Sequence, residues 1–206
     1  TKLKVRGAGV AVITAYQEGS DNYFAAADLN ATVTVYTAEL HATADPQSKA
    51  YLDPVPELTY FYEGFVNDEN ASVLDLEPEI STTATEVSVA GEYPITLSGG
   101  EADNYHFSYH GSTLAIGEGA QHIDVFEVDS NATYGDEDMQ LTGVATSGLS
   151  VSYESSNPDV LEVNGTKLKV RGAGVAVITA YQEGDDNYFA AADLNATVTV
   201  YTAELH

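Results

Sequence analysis

A long internal repeat constrains this chain more than any other feature. Residues 1–41 read TKLKVRGAGVAVITAYQEGSDNYFAAADLNATVTVYTAELH, and residues 166–206 repeat them with a single change, from Ser20 to Asp185. The copies are 165 residues apart, which is much longer than one supersecondary unit. The repeating unit is therefore a domain or a pair of domains, and the near-identity of the copies predicts a long tandem array.

The starting point of the first copy predicts how its fold is completed. Residues 159–171, DVLEVNGTKLKVR, alternate in polarity on both sides of Asn164-Gly165, which indicates a β-hairpin. The first copy starts at Thr1, just after the point where its own Asn-Gly would stand. We therefore expect its partner strands to come from a preceding repeat or, by strand exchange, from another copy of the chain. Exchange would make the 206-residue chain self-associate.

Hydrophobic patterning predicts an all-β chain. Residues 10–16 are a β-branched run of strand length, and residues 29–36 alternate between apolar and polar as in a half-buried strand. Turn signals recur about every 8–12 residues, a spacing typical of small antiparallel sandwiches. The one helical candidate is short, near Asn70 to Leu76, where Asp68 or Asn70 is suited to cap it.

Composition divides the repeating unit in two. Five of the six prolines fall between residues 42 and 118, and the Gly-rich segment 112–122 marks the internal boundary. We therefore expect half a domain at 1–41, a middle domain at 42–118 and a complete last domain at 119–206. The two complete domains are large enough for small sandwiches with modest cores.

Charge and composition exclude several classes of partner. The chain has 7 Lys and Arg against 32 Asp and Glu, a net charge of −25, so we expect neither nucleic acid nor an anionic membrane surface as a partner. No apolar run is long enough for a membrane helix, and the absence of cysteine excludes disulfides and thiolate chemistry. Six of the seven basic residues form one outward stripe that is expected to pair with acidic neighbours: Lys2, Lys4, Arg6, Lys167, Lys169 and Arg171.

Motifs in the two complete domains resemble known bacterial surface repeats. Residues 147–191, with VSYESSNP, VNG and GAGVAVITA, resemble the bacterial immunoglobulin-like (Big) domain. Residues 48–74 and 90–116, with GEYPITLSGG and a following Asn-Tyr, resemble the MBG-type (YGX) repeat, although its opening reads Tyr51-Leu52-Asp53 without the glycine. The resemblance implies tandem Ig-like and MBG-type domains. It also implies an extracellular adhesin stalk, as in the giant surface proteins of gliding Bacteroidetes exported by the type IX route.

An Asp-Asn-Tyr triplet occurs three times, at 21–23, 103–105 and 186–188, and each time it follows a glycine and precedes a strand. We interpret it as a structural turn, with Asp or Asn bonding nearby backbone and Tyr packing over the start of the strand. The members are Asp21, Asn22, Tyr23, Asp103, Asn104, Tyr105, Asp186, Asn187 and Tyr188. The alternative is a calcium site, since Glu183, Asp185 and Asp186 place carboxylates on one loop. The spaced pattern of known calcium loops is absent, however, and Ser20 removes one carboxylate from the first copy.

No pattern predicts catalysis, and we expect neither an enzyme nor a cofactor. Nucleophile elbows, phosphate loops and HExxH motifs are all missing from the sequence. The leading hypothesis is a stalk segment whose main partners are adjacent repeats. A second hypothesis is weak binding of glycans or surfaces, strengthened by avidity and carried by Tyr60, Phe61, Tyr62 and Tyr109. A third is an accessory domain of a secreted enzyme.

Overall fold

The computed structural model describes residues 2–204, so the ends of the predicted first and last domains, residues 1, 205 and 206, lie outside the described residues. The described chain is all-β, as predicted, with 18 strands and one short 3-10 helix. It forms two compact units. The first runs up to Gln47 and includes Pro56–Ala84 and Glu92–Ala115, and the second contains Ser48–Val55, Thr85–Gly91 and the chain from Ile116 onward. No helix within residues 2–204 has the length and apolar character needed to cross a membrane.

The first copy of the repeat forms two antiparallel strands in the first unit. Strand β1 (Gly9–Ala15) pairs with β2 (Leu29–Val35) along its whole length, from Gly9 opposite Val35 to Ala15 opposite Leu29. Nearly every side chain of this pair is exposed. The pair forms because the β-branched runs suit an extended backbone, and among the described residues no further strand joins either edge of it.

The remaining strands of the first unit belong mainly to the predicted middle domain. The central strand β3 (Ala38–Ala44) runs antiparallel to β5 (Tyr60–Glu63) and parallel to β8 (Tyr105–His110). A second sheet places β7 (Gly91–Glu101) between β6 (Leu76–Thr82) and β9 (Ser112–Gly117), while β4 (Gln47–Ala50) lies where the chain leaves the first unit. Alternate residues of both sheets are buried, as a sandwich requires: Leu40, Ala42, Ala44, Ile95, Leu97 and Leu114.

The predicted helical segment is a single 3-10 turn at Ala71–Val73. The Asn70 side chain caps it by accepting a hydrogen bond from the Ser72 amide at 3.0 Å. The sequence therefore located the turn and one of its two candidate caps, while the following residues join strand β6 instead of extending the helix.

The second unit contains the predicted last domain. Its largest sheet has the order β11 (Asn131–Thr133), β18 (Leu194–Tyr201), β17 (Gly174–Tyr181) and β14 (Ser152–Ser155). A second sheet has the order β12 (Met139–Gln140), β16 (Lys167–Val170) and β15 (Leu161–Asn164), and β10 (Ile123–Glu127) pairs with β13 (Thr142–Ala145). Leu161 and Leu168 of one sheet share a core cluster with Ile178 and Val198 of the other.

The predicted hairpin is present, but its turn lies one residue later than expected. Asn164 pairs with Lys167, so the two-residue loop is Gly165-Thr166 and not Asn164-Gly165. Gly165 has a φ of 62°, in the left-handed region that glycine enters without steric cost. Glycine therefore takes the first central position of the turn, and Asn164 remains in the strand.

Candidate functional site

The Asp-Asn-Tyr loop of the last domain is held by the residue that precedes the triplet. The Asp185 carboxylate accepts hydrogen bonds from the Asn187 and Tyr188 amides, each at 2.9 Å, and the Asp185 amide donates to the Tyr188 carbonyl at 3.0 Å. The sequence analysis expected the Asp or Asn of the triplet to make such bonds, whereas here they are made by Asp185, the residue before it. The side chains of Asn187 and Tyr188 are therefore available for contacts further away.

Those contacts are made to other parts of the second unit. The Asn187 side-chain oxygen accepts a hydrogen bond from the Ala90 amide at 2.9 Å, and the Asn187 carbonyl accepts one from the Gly119 amide at 2.8 Å. The Tyr188 ring meets the Tyr51 ring edge-on, with centroids 5.2 Å apart. This triplet thus connects the last domain to segments that the sequence assigns to the middle domain.

A lysine ties those middle-domain segments together. The Lys49 ammonium donates to the carbonyls of Asp53 at 2.8 Å and Glu86 at 3.0 Å, and more weakly to its neighbour Ala50. Because an ammonium group bonds strongly to carbonyl oxygens, Lys49 holds residues 48–55 and 85–91 as one surface within the second unit. Asn187 and Tyr188 contact this surface.

The triplet at 103–105 makes the corresponding contact in the first unit. The Asn104 side-chain oxygen accepts from the Ala8 amide at 2.7 Å, and the Asn104 carbonyl accepts from the Ala38 amide at 2.9 Å. Gly7 permits this approach, because a Cβ atom there would lie only 2.8 Å from the Asn104 side-chain oxygen. Asn104 of the middle domain therefore bonds two parts of the first copy, the segment before β1 and the start of β3.

Tyr105 anchors the same loop from inside the first unit. Its buried hydroxyl donates to the Glu69 carboxylate at 2.6 Å and accepts from the Val66 amide at 3.0 Å. Burial, together with the hydrogen bond to Glu69, raises the pKa of the Tyr105 hydroxyl. The neutral hydroxyl is thus built into this loop as a hydrogen-bond donor.

The triplet of the first copy makes no such contact. The Asn22 amide donates to the Ser20 hydroxyl at 3.3 Å, a longer bond than those of Asp185, and the Asn22 side chain has no partner within residues 2–204. Tyr23 is 79% exposed. Asn22 and Tyr23 therefore present to solvent the groups that Asn187 and Tyr188 use for docking.

The acidic residues considered for calcium are not gathered into a metal site. The Asp185 carboxylate is engaged by backbone amides, while Glu183 and Asp186 are exposed on the same loop. The described part of the chain contains no group of three or more Asp, Glu, His or Cys residues placed to hold a metal ion. Calcium binding here remains a prediction from composition.

The aromatic residues considered for ligand binding divide between two faces of one sheet. Tyr60 and Tyr62 of β5 are half-buried, whereas Phe61 between them points the other way and is 45% exposed. Tyr62 of β5 and Tyr109 of β8 both pair with Ala42 of the central strand β3, so their side chains share one face of the sheet. The strand alternation therefore separates Phe61 from the other three candidates.

The inward rings are engaged with one another. Tyr60 and Tyr62 meet edge-on at 5.3 Å, and Tyr109 stacks on Phe107 at 5.8 Å. The Tyr60 hydroxyl donates to the Pro78 carbonyl at 3.1 Å and the Tyr109 hydroxyl to the Gly99 carbonyl, so both hydroxyls are occupied. Desolvation is the main cause that raises the pKa values of Tyr62 and Tyr109. These rings are therefore held by one another and by backbone carbonyls, although Tyr109 is still 37% exposed.

Comparison with solved structures finds only distant likeness. The chain is 9% identical to Drosophila N-cadherin EC1-4, with a TM-score of 0.31, over 94% of this chain and 58% of that one. It is 12% identical to N-cadherin EC1-3, with a TM-score of 0.31, over 89% of this chain and 75% of that one. A SusE-like surface-located polysaccharide-binding protein from the Bacteroides thetaiotaomicron heparin utilisation locus is 12% identical, with a TM-score of 0.29, over 92% of this chain and 37% of that one. At such scores no role transfers to this chain.

Sequence comparison assigns the middle segment. No curated protein matches the chain. Residues 40–115 match the family model of the MBG domain (YGX type), within two to three residues of the boundaries that composition predicts at 42–118. The likeness to the MBG domain (YGX type) therefore covers the middle segment of the chain and not the segments on either side of it.

Proposed function

We propose that this chain is a segment of a long, tandemly repeated extracellular stalk that spaces an adhesive tip from the cell. The 165-residue period of near-identical sequence and the MBG match at residues 40–115 both support this role. An adhesin of the gliding Bacteroidetes type, exported by the type IX route, is the specific form proposed. The proposal assigns the chain no catalytic step.

The observation that carries the proposal is the short connection between the β1–β2 pair and β3, the strand that leads into the middle domain. Strand β2 ends at Val35 and β3 begins at Ala38, so only Tyr36 and Thr37 lie between them. The Ala38 amide is bonded to Asn104 at the same point. A spacer has to keep successive domains in fixed relative positions. A two-residue connection that is anchored by the Ala38 backbone hydrogen bond leaves little freedom to bend.

The charge suits a crowded surface polymer. A net charge of −25 in each chain of this length would keep neighbouring stalks apart and solvated. Linear repeats of this kind also derive their stability from local terms and neighbour interfaces, so the array can lengthen without a new core.

Glycan binding by avidity is the alternative within the same surface setting. It requires aromatic rings open to a sugar face, and Phe61 is the most exposed of the four candidate residues. The other three rings contact neighbouring side chains or carbonyls. Their packing favours a spacer over a binding platform.

The proposal is tested by the length of a two-repeat chain, defined as residues 1–206 followed by a second copy of residues 42–206. Small-angle X-ray scattering should show that the added repeat lengthens the particle by roughly 70–90 Å, the length expected for two small domains when loops and linkers are added to strands of about 17–20 Å. A matched control places a flexible Gly/Ser insert between Tyr36 and Thr37. This control should broaden the distribution of lengths. An added repeat that folds back and leaves the maximum dimension nearly unchanged would contradict the spacer role.

We further propose strand exchange between copies of the isolated chain. The exposed apolar face of β1 and β2, with Ala11, Ile13, Val33 and Val35, is identical to a face that is largely buried in the last domain. Residues 119–165 of a second copy therefore have the surface needed to cover it. Sedimentation velocity should show association that rises with concentration and is abolished by Ile13→Asp. A strict monomer with residues 9–35 stably folded would contradict exchange.

A further inference from the structure

A common feature precedes one strand in each domain of the chain. An Ala-Gly pair begins β1, β7 and β17, as Ala8-Gly9, Ala90-Gly91 and Ala173-Gly174. The three glycines have φ values of 131°, 150° and 150°, so the backbone bends in a similar way at each site. This recurring backbone geometry turns the preceding alanine amide toward the same kind of acceptor.

Two of these alanine amides are bound by the asparagine of an Asp-Asn-Tyr triplet. Ala8 donates to Asn104 at 2.7 Å in the first unit, and Ala90 donates to Asn187 at 2.9 Å in the second unit. The partners are 96 and 97 residues apart. In both cases the asparagine belongs to the domain that follows the alanine in sequence, so one rule describes both contacts.

The third alanine amide, that of Ala173, has no acceptor within the described residues 2–204. It lies on a shallow apolar surface with Tyr134, Gly172, Thr202 and Ala203, which we name the Ala173 face. The first copy has four of these five residues, as Gly7, Ala8, Thr37 and Ala38, while Tyr134 lies outside the repeated segment. There, Ala8 and Ala38 are half-buried and bonded to Asn104, whereas Ala173 and Ala203 are exposed.

This difference in exposure is the opposite of the difference between the two copies along their strands. The first copy is the more exposed one along β1 and β2, but it is the less exposed one at Ala8 and Ala38. The local sequences are identical, and in the first copy Asn104 of the middle domain bonds both Ala8 and Ala38.

We propose that the Ala173 face binds another copy of the middle domain, residues 42–118. The side-chain oxygen of that copy's Asn104 accepts from the Ala173 amide, and its Asn104 carbonyl accepts from the Ala203 amide. At Gly7 a Cβ atom would meet the Asn104 side-chain oxygen at 2.8 Å, whereas at Gly172 it would meet the Asp159 carbonyl oxygen at 2.9 Å, so the predicted contact is made through the Ala173 and Ala203 amides. The proposal rests on the stalk function above and adds the docking contact between successive repeats.

The residue before the alanine distinguishes the two domains that could bind the Ala173 face. Ala90, which receives Asn187 of an Ig-like domain, is preceded by Val89, whereas Ala8 and Ala173 are both preceded by glycine. A face with glycine at this position therefore matches the middle domain that carries Asn104. Docking of an Ig-like domain through Asn187 is the competing outcome of the test.

The test is amide hydrogen exchange at Ala173, measured by NMR in the 206-residue chain and in the two-repeat chain defined above. Exchange at Ala173 should be about tenfold slower in the two-repeat chain, as one added hydrogen bond allows. Substituting alanine for the added copy's Asn104 should restore fast exchange. Asn22→Ala is the matched control, because it changes the same motif where the side chain has no described partner, and it should leave Ala173 unchanged.

The outcomes separate docking from the spacer role. Fast exchange at Ala173 in a two-repeat chain whose added domains are folded overturns the docking contact. If that chain still lengthens in scattering, the spacer role survives with looser joints. A third outcome is that the Ala173 amide loses its protection when the added copy's Asn187 is substituted and keeps it when that copy's Asn104 is substituted. This result would overturn the choice of the middle domain as occupant.

Discussion

The two copies of the repeat have the same local structure in different surroundings. Both form the same strand pair, and in both a side-chain hydroxyl bonds an asparagine across it, Thr14 to Asn30 at 2.6 Å and Thr179 to Asn195 at 2.7 Å. Yet Ile13 is 36% exposed while its counterpart Ile178 is fully buried. The strand pairing is thus encoded within the 41 residues, and the core is completed by residues 119–165.

This difference shows that the stability of each copy depends on what surrounds it. A two-stranded sheet alone is marginal in water, so the first copy depends on what covers it. In the last domain, residues of the 119–165 segment cover the strand pair and share its core cluster, among them Ala132, Leu141 and Leu161. Identical substitutions in the two copies therefore measure how much of the stability each residue gains from its surroundings.

The largest expected contrast lies in the core. Ile178→Ala should destabilise the last domain by about 2–5 kcal/mol, since it removes a fully buried side chain and leaves a cavity. Ile13→Ala should cost well under half as much in the dilute chain, because Ile13 is already partly in contact with water. Denaturant unfolding followed by NMR signals of each copy measures both. Equal losses in a dilute monomer would contradict the account of an uncovered first copy.

A smaller contrast separates two tyrosines of the same motif. Tyr105→Phe should cost about 1–3 kcal/mol at neutral pH, because it leaves the Val66 amide and Glu69 without their buried partner. Tyr23→Phe should stay within about 0.5 kcal/mol, as is usual for exposed sites. Urea titrations of the two variants beside the parent chain provide the measurement, and a Tyr23 effect as large as that of Tyr105 would overturn the assignment.

The same tyrosine predicts a response to alkaline pH. Burial raises the pKa of Tyr105 in the folded chain, while an unfolded tyrosine titrates near pH 10. Above about pH 10 the unfolded state loses a proton that the folded state keeps, so stability is complete below that pH and falls as pH rises further. Tyr105→Phe should make this fall less steep. An unchanged pH dependence of the unfolding free energy would exclude Tyr105 as a source.

The one substitution between the copies has a predictable effect. Asp185→Ser should weaken the loop by about 0.5–1.5 kcal/mol, because the carboxylate accepts two amides where Ser20 accepts one longer bond. The reverse change, Ser20→Asp, should slow hydrogen exchange at the Asn22 and Tyr23 amides. If exchange in both loops stays as it was, the turn does not depend on this side chain.

The smallest contrast concerns the basic stripe. Arg171 forms an exposed ion pair with Glu162 across β15 and β16, whereas no carboxylate in residues 2–204 lies within ion-pair distance of Arg6. Arg171→Ala should cost about 0.2–1 kcal/mol, with the loss diminished by added salt, and Arg6→Ala should cost nothing measurable. Thermal unfolding at low and high salt distinguishes them. An equal cost for both variants would mean that the stripe acts through packing.

Much of the fold follows from local sequence. The β-branched run at residues 10–16 predicted β1 and the alternation at residues 29–36 predicted β2, while the short helical candidate near Asn70 is a single 3-10 turn capped by Asn70. The turn at Gly165-Thr166 lay one residue away from the prediction, because the Asn-Gly signal does not specify which residue stays in the strand.

The joints between domains were not predictable in the same way. The Asn104 side-chain oxygen accepts a hydrogen bond from the Ala8 amide, 96 residues away in sequence. Hydrophobic periodicity within a strand does not predict a contact between residues so far apart. The available signal was the recurrence of both the Ala-Gly pair and the triplet in every domain. The aromatic candidates illustrate the same limit, since alternation placed Phe61 opposite to Tyr60 and Tyr62, but which face was outward depended on the second sheet.

The central claim, that this sequence belongs to a long repeated surface protein, is tested most directly by the mass of the natural protein. An antibody against residues 42–118 would be used on a denaturing gel of surface-stripped cells. The account predicts a band of several hundred kilodaltons or more that external protease removes from intact cells. A band near the 21.8 kDa of this chain would contradict the tandem stalk and leave a small, discrete domain protein in its place.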